Sequence, residues 1–155
     1  MKFSGELLVA GTPREAVFDK LKDARFFAGC IEGVHDLVEI SPTQYTAMFE
    51  TKIAYIKFKF EVSVELTKAD SPDSIAAKIE GKPHGIVGRL SAISSANFVE
   101  KDGGTAIQYV VEANLTGRLG SIGQPVLKSK AKEMEKQFVQ NLRAGFEGKG
   151  EARAP

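Results

Sequence analysis

The stretch that decides the fold is IKFKFEVSVEL, residues 56–66. Apolar side chains occupy every even position from Ile56 to Leu66, and lysine, glutamate or serine occupies every odd position between them. Because successive side chains of a strand point to opposite faces, this pattern places one face in a core and the other in water. An alternation of this length predicts a long strand of an antiparallel sheet.

Further strands are predicted on both sides of this stretch, with turn signals between them. The segments 70–73 (DSPD) and 102–104 (DGG) have the composition of tight turns. The other predicted strands cover residues 2–9, 34–40, 44–53, a segment that starts at 75, 87–100 and 105–116. The sequence therefore predicts about seven strands, six of which follow one another directly as a meander.

Three helices are predicted outside the meander, two short ones after the first strand and a long one at the end. Thr12 is predicted to be the N-cap of the first, with Pro13 in its first turn and Glu15 closing a capping box. Asp23 is predicted to cap the second, over residues 24–28. After Gly117, apolar residues recur every three or four positions, which predicts one long amphipathic helix.

These elements predict an α+β domain over residues 1–146, followed by a disordered tail over residues 147–155. The final helix is the element that is long and apolar enough to cover the inner face of a curved antiparallel sheet. Ala92, Ser94 and Ala96 are small residues on the predicted inner face of one strand. They predict an apolar cavity between the sheet and the helix.

The composition argues against several classes of function. The chain has 21 Lys and Arg and 20 Asp and Glu residues, and this balance does not favour a nucleic acid as a partner. Its one cysteine, Cys30, cannot form an internal disulfide and fits a reducing compartment. No stretch reaches the roughly 18 apolar residues that cross a bilayer. A signal-peptide pattern is also absent, and we expect a cytoplasmic protein.

Six short stretches in this order carry a resemblance to a known family. They are MKFSGE (1–6), TPREAV (12–17), GCIEG (29–33), IKFKF (56–60), EGKPHGIVG (80–88) and GRLG (117–120). The chain as far as Phe146 resembles the CoxG family of carbon monoxide dehydrogenase subunits, within the START-related (SRPBCC) helix-grip superfamily. Ile31 and Glu32 depart from the Cys-Leu-Pro-Gly element of that family.

This resemblance implies a helix-grip fold and a non-catalytic accessory protein. The family is associated with attaching a molybdenum-containing CO dehydrogenase or a related hydroxylase to the membrane, and with binding of lipoquinones. The implied ligand is a quinone, a lipid or another apolar small molecule. The implied partners are subunits of a CO dehydrogenase-type enzyme, with peripheral contact at the inner face of the membrane.

The predicted ligand site is the inner face of the sheet and the side of the helix that faces it. Its lining residues are Tyr45, Phe49, Phe58, Phe60, Ile79, Leu90, Ala92, Tyr109, Met134 and Phe138. Ligand pockets are concave and mostly apolar, although such residues can also pack together as an ordinary core. Gly85, Ile86 and Val87 form a candidate gate loop, the alternative being a plain mobile hairpin.

We predict no catalytic residue and no metal ligand. His35 and His84 lie far apart and have no second His or Cys at metal-ligand spacing, and Cys30 is expected to be a buried packing residue. Two alternatives to a binding protein stay open. One is a cyclase or hydrolase of the same superfamily that uses an inward polar group such as Tyr109, and the other is a structural adaptor without a cavity.

Overall fold

A computed structural model describes residues 1–147, which form seven strands and four helices. The elements are β1 (Lys2–Val9), α1 (Arg14–Lys22), α2 (Ala24–Gly29), β2 (Val34–Ser41), β3 (Gln44–Ile53), β4 (Ile56–Asp70), β5 (Ser74–Pro83), β6 (Gly88–Lys101), β7 (Gly104–Thr116), α3 (Gly117–Gly120) and α4 (Gln124–Glu147). The predicted order of the seven strands and of the two short helices after β1 is confirmed. Apart from Glu147, which ends α4, the predicted disordered tail over residues 147–155 lies outside the described residues.

All seven strands belong to one antiparallel sheet with the order β1-β7-β6-β5-β4-β3-β2. Each strand from β2 to β7 pairs with its neighbours in sequence, as the predicted meander requires, and β1 closes the sheet against β7. The alternating stretch lies in β4, the third strand from one edge, where Phe58 and Phe60 are buried while Lys57 and Lys59 are exposed. The fold is therefore the predicted helix grip.

The two short helices begin in different ways. The capping box predicted for α1 is wrong, because Pro13 is the N-cap and no side chain caps the helix. The carbonyl of Thr12 instead accepts a 2.7 Å hydrogen bond from the hydroxyl of Thr105, which holds this backbone against β7. The cap predicted for α2 is confirmed, since the Asp23 carboxylate accepts a 2.9 Å hydrogen bond from the amide of Arg25.

The predicted single helix after β7 is two helices. Gly123 has a φ of 108° and interrupts the helical path between α3 and α4, because only glycine adopts that backbone conformation without strain. Pro125 lies in the first turn of α4, where it has no helical hydrogen bond to break. Leu119 of α3 is fully buried and fastens this short helix to the sheet.

The buried apolar side chains form two separate clusters on the concave face of the sheet. The first joins α1, α2 and the end of α4 to the sheet through Leu7, Val9, Val17, Phe18, Cys30, Phe98, Ile107 and Leu142. The second contains Ile53, Phe58, Phe60 and Leu119. On β6 and β7 the two clusters occupy opposite ends of the strands. Cys30 is buried, as expected, and burial raises the pKa of its thiol.

Candidate functional site

A row of side chains crosses the concave face between the two clusters. The strand register places Tyr45 opposite Val64, Val64 opposite Ile79, Ile79 opposite Ala92, and Ala92 opposite Ala113. All five side chains are half-buried, and none belongs to either cluster. Side-chain size falls along this row, from a tyrosine on β3 to alanines on β6 and β7. The row itself therefore occupies the least space above β6 and β7.

A second row runs beside the first and has the same character. It pairs Leu66 with Ala77, Ala77 with Ser94, Ser94 with Val111, and Val111 with Phe3. Four of these five side chains are half-buried, and Ala77 is buried. We call the strip formed by the two rows the groove, and most of its side chains are more exposed than those of the clusters at its two ends. That a ligand cavity lies over it stays a prediction.

Tyr109 joins this face of the sheet to α4. Its hydroxyl donates a 2.6 Å hydrogen bond to Oε2 of Glu135 on the helix. The ring lies over Gly5, where a Cβ atom would stand 2.5 Å from the tyrosine hydroxyl. Burial and the neighbouring carboxylate raise the pKa of Tyr109 to about 12, which keeps the phenol protonated at neutral pH. The pair is therefore a fixed polar group beside an apolar groove, and such a group can orient a guest.

Tyr45 lies on β3, at the end of the first row, and has the largest side chain of that row. Burial raises the pKa of its phenol to about 12, so this hydroxyl is also neutral and protonated at physiological pH. Neither tyrosine is prepared to act as a base, because that role needs a phenolate. Both can serve as uncharged hydrogen-bonding groups.

A cavity of about 250 Å³ opens between the α2–β2 connection, the end of β3 and the middle of α4. It is lined by Ile31, Glu32, Gly33, Glu50, Thr51, Lys52, Lys130, Glu133, Met134 and Gln137. Lys130 and Glu133 form a 2.8 Å ion pair across one turn of α4. This opening is polar, whereas the groove rows are apolar, and Met134 is the predicted lining residue that it contains.

The carbon monoxide dehydrogenase CoxG family matches this chain over residues 5–146, which is most of its length. The chain belongs to this family. No curated protein matches it at a significant level.

Several solved structures share the fold of this CoxG-family chain. A conserved protein from Geobacillus kaustophilus is 25% identical, with a TM-score of 0.83 over 94% of this chain and 95% of that one. A START superfamily protein from Mycobacterium smegmatis is 12% identical, with a TM-score of 0.71 over 94% and 97% of the two chains. The protein TTHA0849 from Thermus thermophilus is 12% identical, with a TM-score of 0.69 over 97% and 99%.

The predicted lining residues of this CoxG-family protein fall into separate groups. Tyr45, Ile79 and Ala92 lie together in the first row, and Tyr109 lies two strands from Ile79 on the same face. The phenylalanines and Leu90, which were predicted with them, lie at the ends of the groove. Phe49, Phe58, Phe60 and Leu90 pack in or against the second cluster, and Phe138 packs against the first. That these residues contact a ligand stays a prediction.

The predicted gate loop is attached to the body of the protein. Ile86 is half-buried against the second cluster, while Val87 is 74% exposed. The carbonyl of Val87 accepts a 2.8 Å hydrogen bond from the amide of Arg118, which ties the loop to α3. Gly85 has a φ of 80°, so the turn here depends on glycine. A gating movement of this loop stays a prediction.

Two features of the site could not be read from the sequence. Glu135 and the Lys130–Glu133 pair at the opening lie on α4, whose many lysines and glutamates give no sign of which of them face the sheet. Only the rotation of the helix in the packed fold decides this.

Within residues 1–147, no cluster of three or more His, Cys, Asp or Glu side chains is arranged to hold a metal ion. No helix in the same range is long and apolar enough to cross a membrane.

Proposed function

We propose that this chain is a non-catalytic accessory protein that binds an apolar small molecule between its sheet and α4. The proposed guest is a quinone or another lipid-like compound. The observation that carries the proposal is the gap between the two apolar clusters. There, two rows of mostly half-buried side chains, among them the small residues Ala92 and Ser94, lie outside both clusters, and we propose that the guest lies over them.

Membership of the CoxG family and the START-like fold support a binding role rather than a catalytic one. The chemistry of the groove supports it as well. The polar groups that we find beside the rows are Ser94, Tyr45 and the Tyr109–Glu135 pair, and both phenols are held protonated. A site of this kind buries a guest and orients it, but offers little to activate a nucleophile or a water molecule.

The Tyr109–Glu135 pair also suggests how a guest would be oriented. The tyrosine proton is used in the bond to Glu135, so the pair presents oxygen lone pairs to a third group. A guest with a hydroxyl group could donate to them while its apolar part lies along the rows. A reduced quinone, which has two phenolic hydroxyls, has this combination of groups.

The proposed partner is a molybdenum-containing CO dehydrogenase or a related hydroxylase, in agreement with the name of the family. In this role the chain would carry the guest between that enzyme and the membrane. A soluble carrier for a lipid-like compound needs a groove that opens to solvent. We propose the polar cavity beside Met134 as that opening.

The test of the proposal is organic extraction of the purified full chain, followed by mass spectrometry and compared with a mock preparation. We expect one class of quinone or lipid to be enriched with the protein. An empty protein that also fails to bind added short-chain ubiquinone and oleic acid would overturn the proposal. That result would favour a structural adaptor whose groove is not used.

A further inference from the structure

One end of the sheet presents an apolar tip to solvent. In the turn between β3 and β4, Tyr55 is 100% exposed and Ile56 is 57% exposed. In the loop between β5 and β6, Val87 is 74% exposed. The two connections lie side by side, because the amide of His84 donates a 2.8 Å hydrogen bond to the carbonyl of Lys59. Three large apolar side chains are therefore grouped at one end of the molecule.

The turn that carries Tyr55 has a backbone conformation in which a tyrosine is disfavoured. Ala54 and Tyr55 have φ values of 51° and 71°, in the left-handed region. A two-residue hairpin of this kind is normally built from Asn-Gly, since residues with a larger side chain are strained there. Strain of this sort clusters at functional sites, which makes this turn a candidate for a functional role. A bulky aromatic residue at a strained, fully exposed position contributes nothing to the core.

Basic residues surround the tip. We call the segments 51–59, 82–89 and 116–126 the basic end, since the bridge between Gly88 and Gly117 joins the third segment to the second. The basic end contains six of the 21 Lys and Arg residues of the chain and none of its 20 Asp and Glu residues. The six are Lys52, Lys57, Lys59, Lys82, Arg89 and Arg118, and all are exposed. The rest of the chain therefore has an excess of acidic residues.

Two of these lysines are placed against each other. Lys52 and Lys57 are directly opposite across β3 and β4, next to the tip, and like charges in that position are unfavourable. Lys57 has a partial partner in Glu50 at 3.4 Å, and Arg89 has one in Glu80 at 3.7 Å. Lys52 has no ion pair within residues 1–147. An anionic surface in front of the tip would reduce the repulsion between Lys52 and Lys57.

We propose that the basic end docks on an anionic lipid bilayer, with Tyr55, Ile56 and Val87 among the lipid headgroups. Aromatic and aliphatic side chains flanked by lysine and arginine suit the membrane interface, where the ring is half-immersed and the cations meet anionic headgroups. The charge asymmetry would turn this end toward the membrane before contact. Docking would serve the proposed carrier role, on which its purpose rests, since a lipid-like guest has to leave and enter a bilayer.

The first test is co-sedimentation of the full chain with vesicles of phosphatidylcholine, alone or mixed with phosphatidylglycerol. We expect binding to the anionic vesicles that weakens as salt is added. Lys52→Gln should lower the partition coefficient about fivefold. The double variant Tyr55→Ser, Val87→Ser should lower it about tenfold or more. The matched control is Ile40→Ser, Ile93→Ser, which changes two side chains that are 61% and 65% exposed away from the basic end and should have no effect.

A second test uses the absence of tryptophan from the sequence. In Tyr55→Trp the single indole should shift its emission to shorter wavelength on anionic vesicles, and in Ile93→Trp it should not. Equal binding of all variants, equal shifts in both reporters, or no binding to vesicles of either composition would overturn the docking proposal. Failure of docking in a protein that still yields a quinone on extraction leaves the carrier role intact, so the two proposals fail independently.

Discussion

The hydroxyl of Tyr109 on β7 lies 2.6 Å from Oε2 of Glu135 on α4, and this hydrogen bond links the concave face of the sheet to the helix that covers it. The tyrosine ring can lie there because Gly5 on β1 has no side chain. Since the bond is partly buried beside the groove, it has two roles in our interpretation. It holds α4 at a fixed distance from the sheet, and it is a polar point at which a guest can be oriented.

Removal of this bond should destabilise the protein. Tyr109→Phe leaves the Glu135 carboxylate without its donor, and we expect the free energy of unfolding to fall by about 1–3 kcal/mol. Urea denaturation measures this change. The control is Tyr55→Phe, whose hydroxyl is fully exposed. A loss of the same size in the control would show that the bond to Glu135 contributes nothing special.

Filling the groove should remove the guest without unfolding the protein. Ala92→Trp places an indole in the first row, and we expect it to lower the recovered quinone or lipid at least about tenfold, because the guest and the indole compete for one volume. The matched control is Ile93→Trp, which puts the same side chain on the convex face, where Ile93 is 65% exposed. Wild-type recovery from Ala92→Trp would place the guest elsewhere.

Relief of the strained turn should separate stability from membrane binding. Replacing Ala54-Tyr55 by Asn-Gly suits the left-handed conformation of both residues, and we expect a gain of about 1–2 kcal/mol in the free energy of unfolding. The same variant loses the exposed aromatic ring, so its binding to anionic vesicles should fall. Thermal unfolding and co-sedimentation on one preparation measure both effects. A turn variant that binds vesicles as well as the wild type would exclude Tyr55 from the docking surface.

His35 should give the protein a pH-dependent contact. Its Nε2 lies 2.6 Å from the Glu50 carboxylate and its Nδ1 lies 3.0 Å from that of Asp36, so both ring nitrogens have acceptors when the ring is protonated. These bonds, first the one to Glu50, raise the pKa of His35 above its ordinary value of 6.5. The bond to His35 is also the main cause that lowers the pKa of Glu50.

The direction of the pH effect follows from these shifts. The stability that His35 contributes is fully present below pH 6.5 and is lost as the pH rises through the raised pKa of the folded state. The stability that Glu50 contributes is present above pH 4.5 and is lost as the pH falls through the lowered pKa of Glu50 in the folded state. NMR titration of the ring protons should show Glu50→Gln returning the pKa of His35 toward its ordinary value. The control is Glu65→Gln, which changes an exposed residue on β4 and should leave the pKa of His35 unchanged.

Most of the fold was predictable because local patterns and the tertiary structure agree. The alternation over residues 56–66 fixed the face that each side chain takes, and a change of face would have exposed Phe58 and Phe60. The break at Gly123 was not predictable, since a helix can tolerate a glycine inside an amphipathic pattern as well as end at one. The α1 cap failed for a similar reason, because the contact between Thr12 and Thr105 joins residues far apart in sequence.

The candidate site, like the fold, was predictable only in part. The sequence alone determined which residues face inward, because a period of two leaves a strand residue only two directions. The tertiary structure decided which inward residues pack in the two clusters and which lie between them, since that depends on how the strand register aligns Ala92 with Ile79 and Ala113. It also decided the meeting of Tyr109 with Glu135 and the grouping of Tyr55 with Val87. These contacts depend on the rotation of a helix and on the positions of separate loops, which no local pattern encodes.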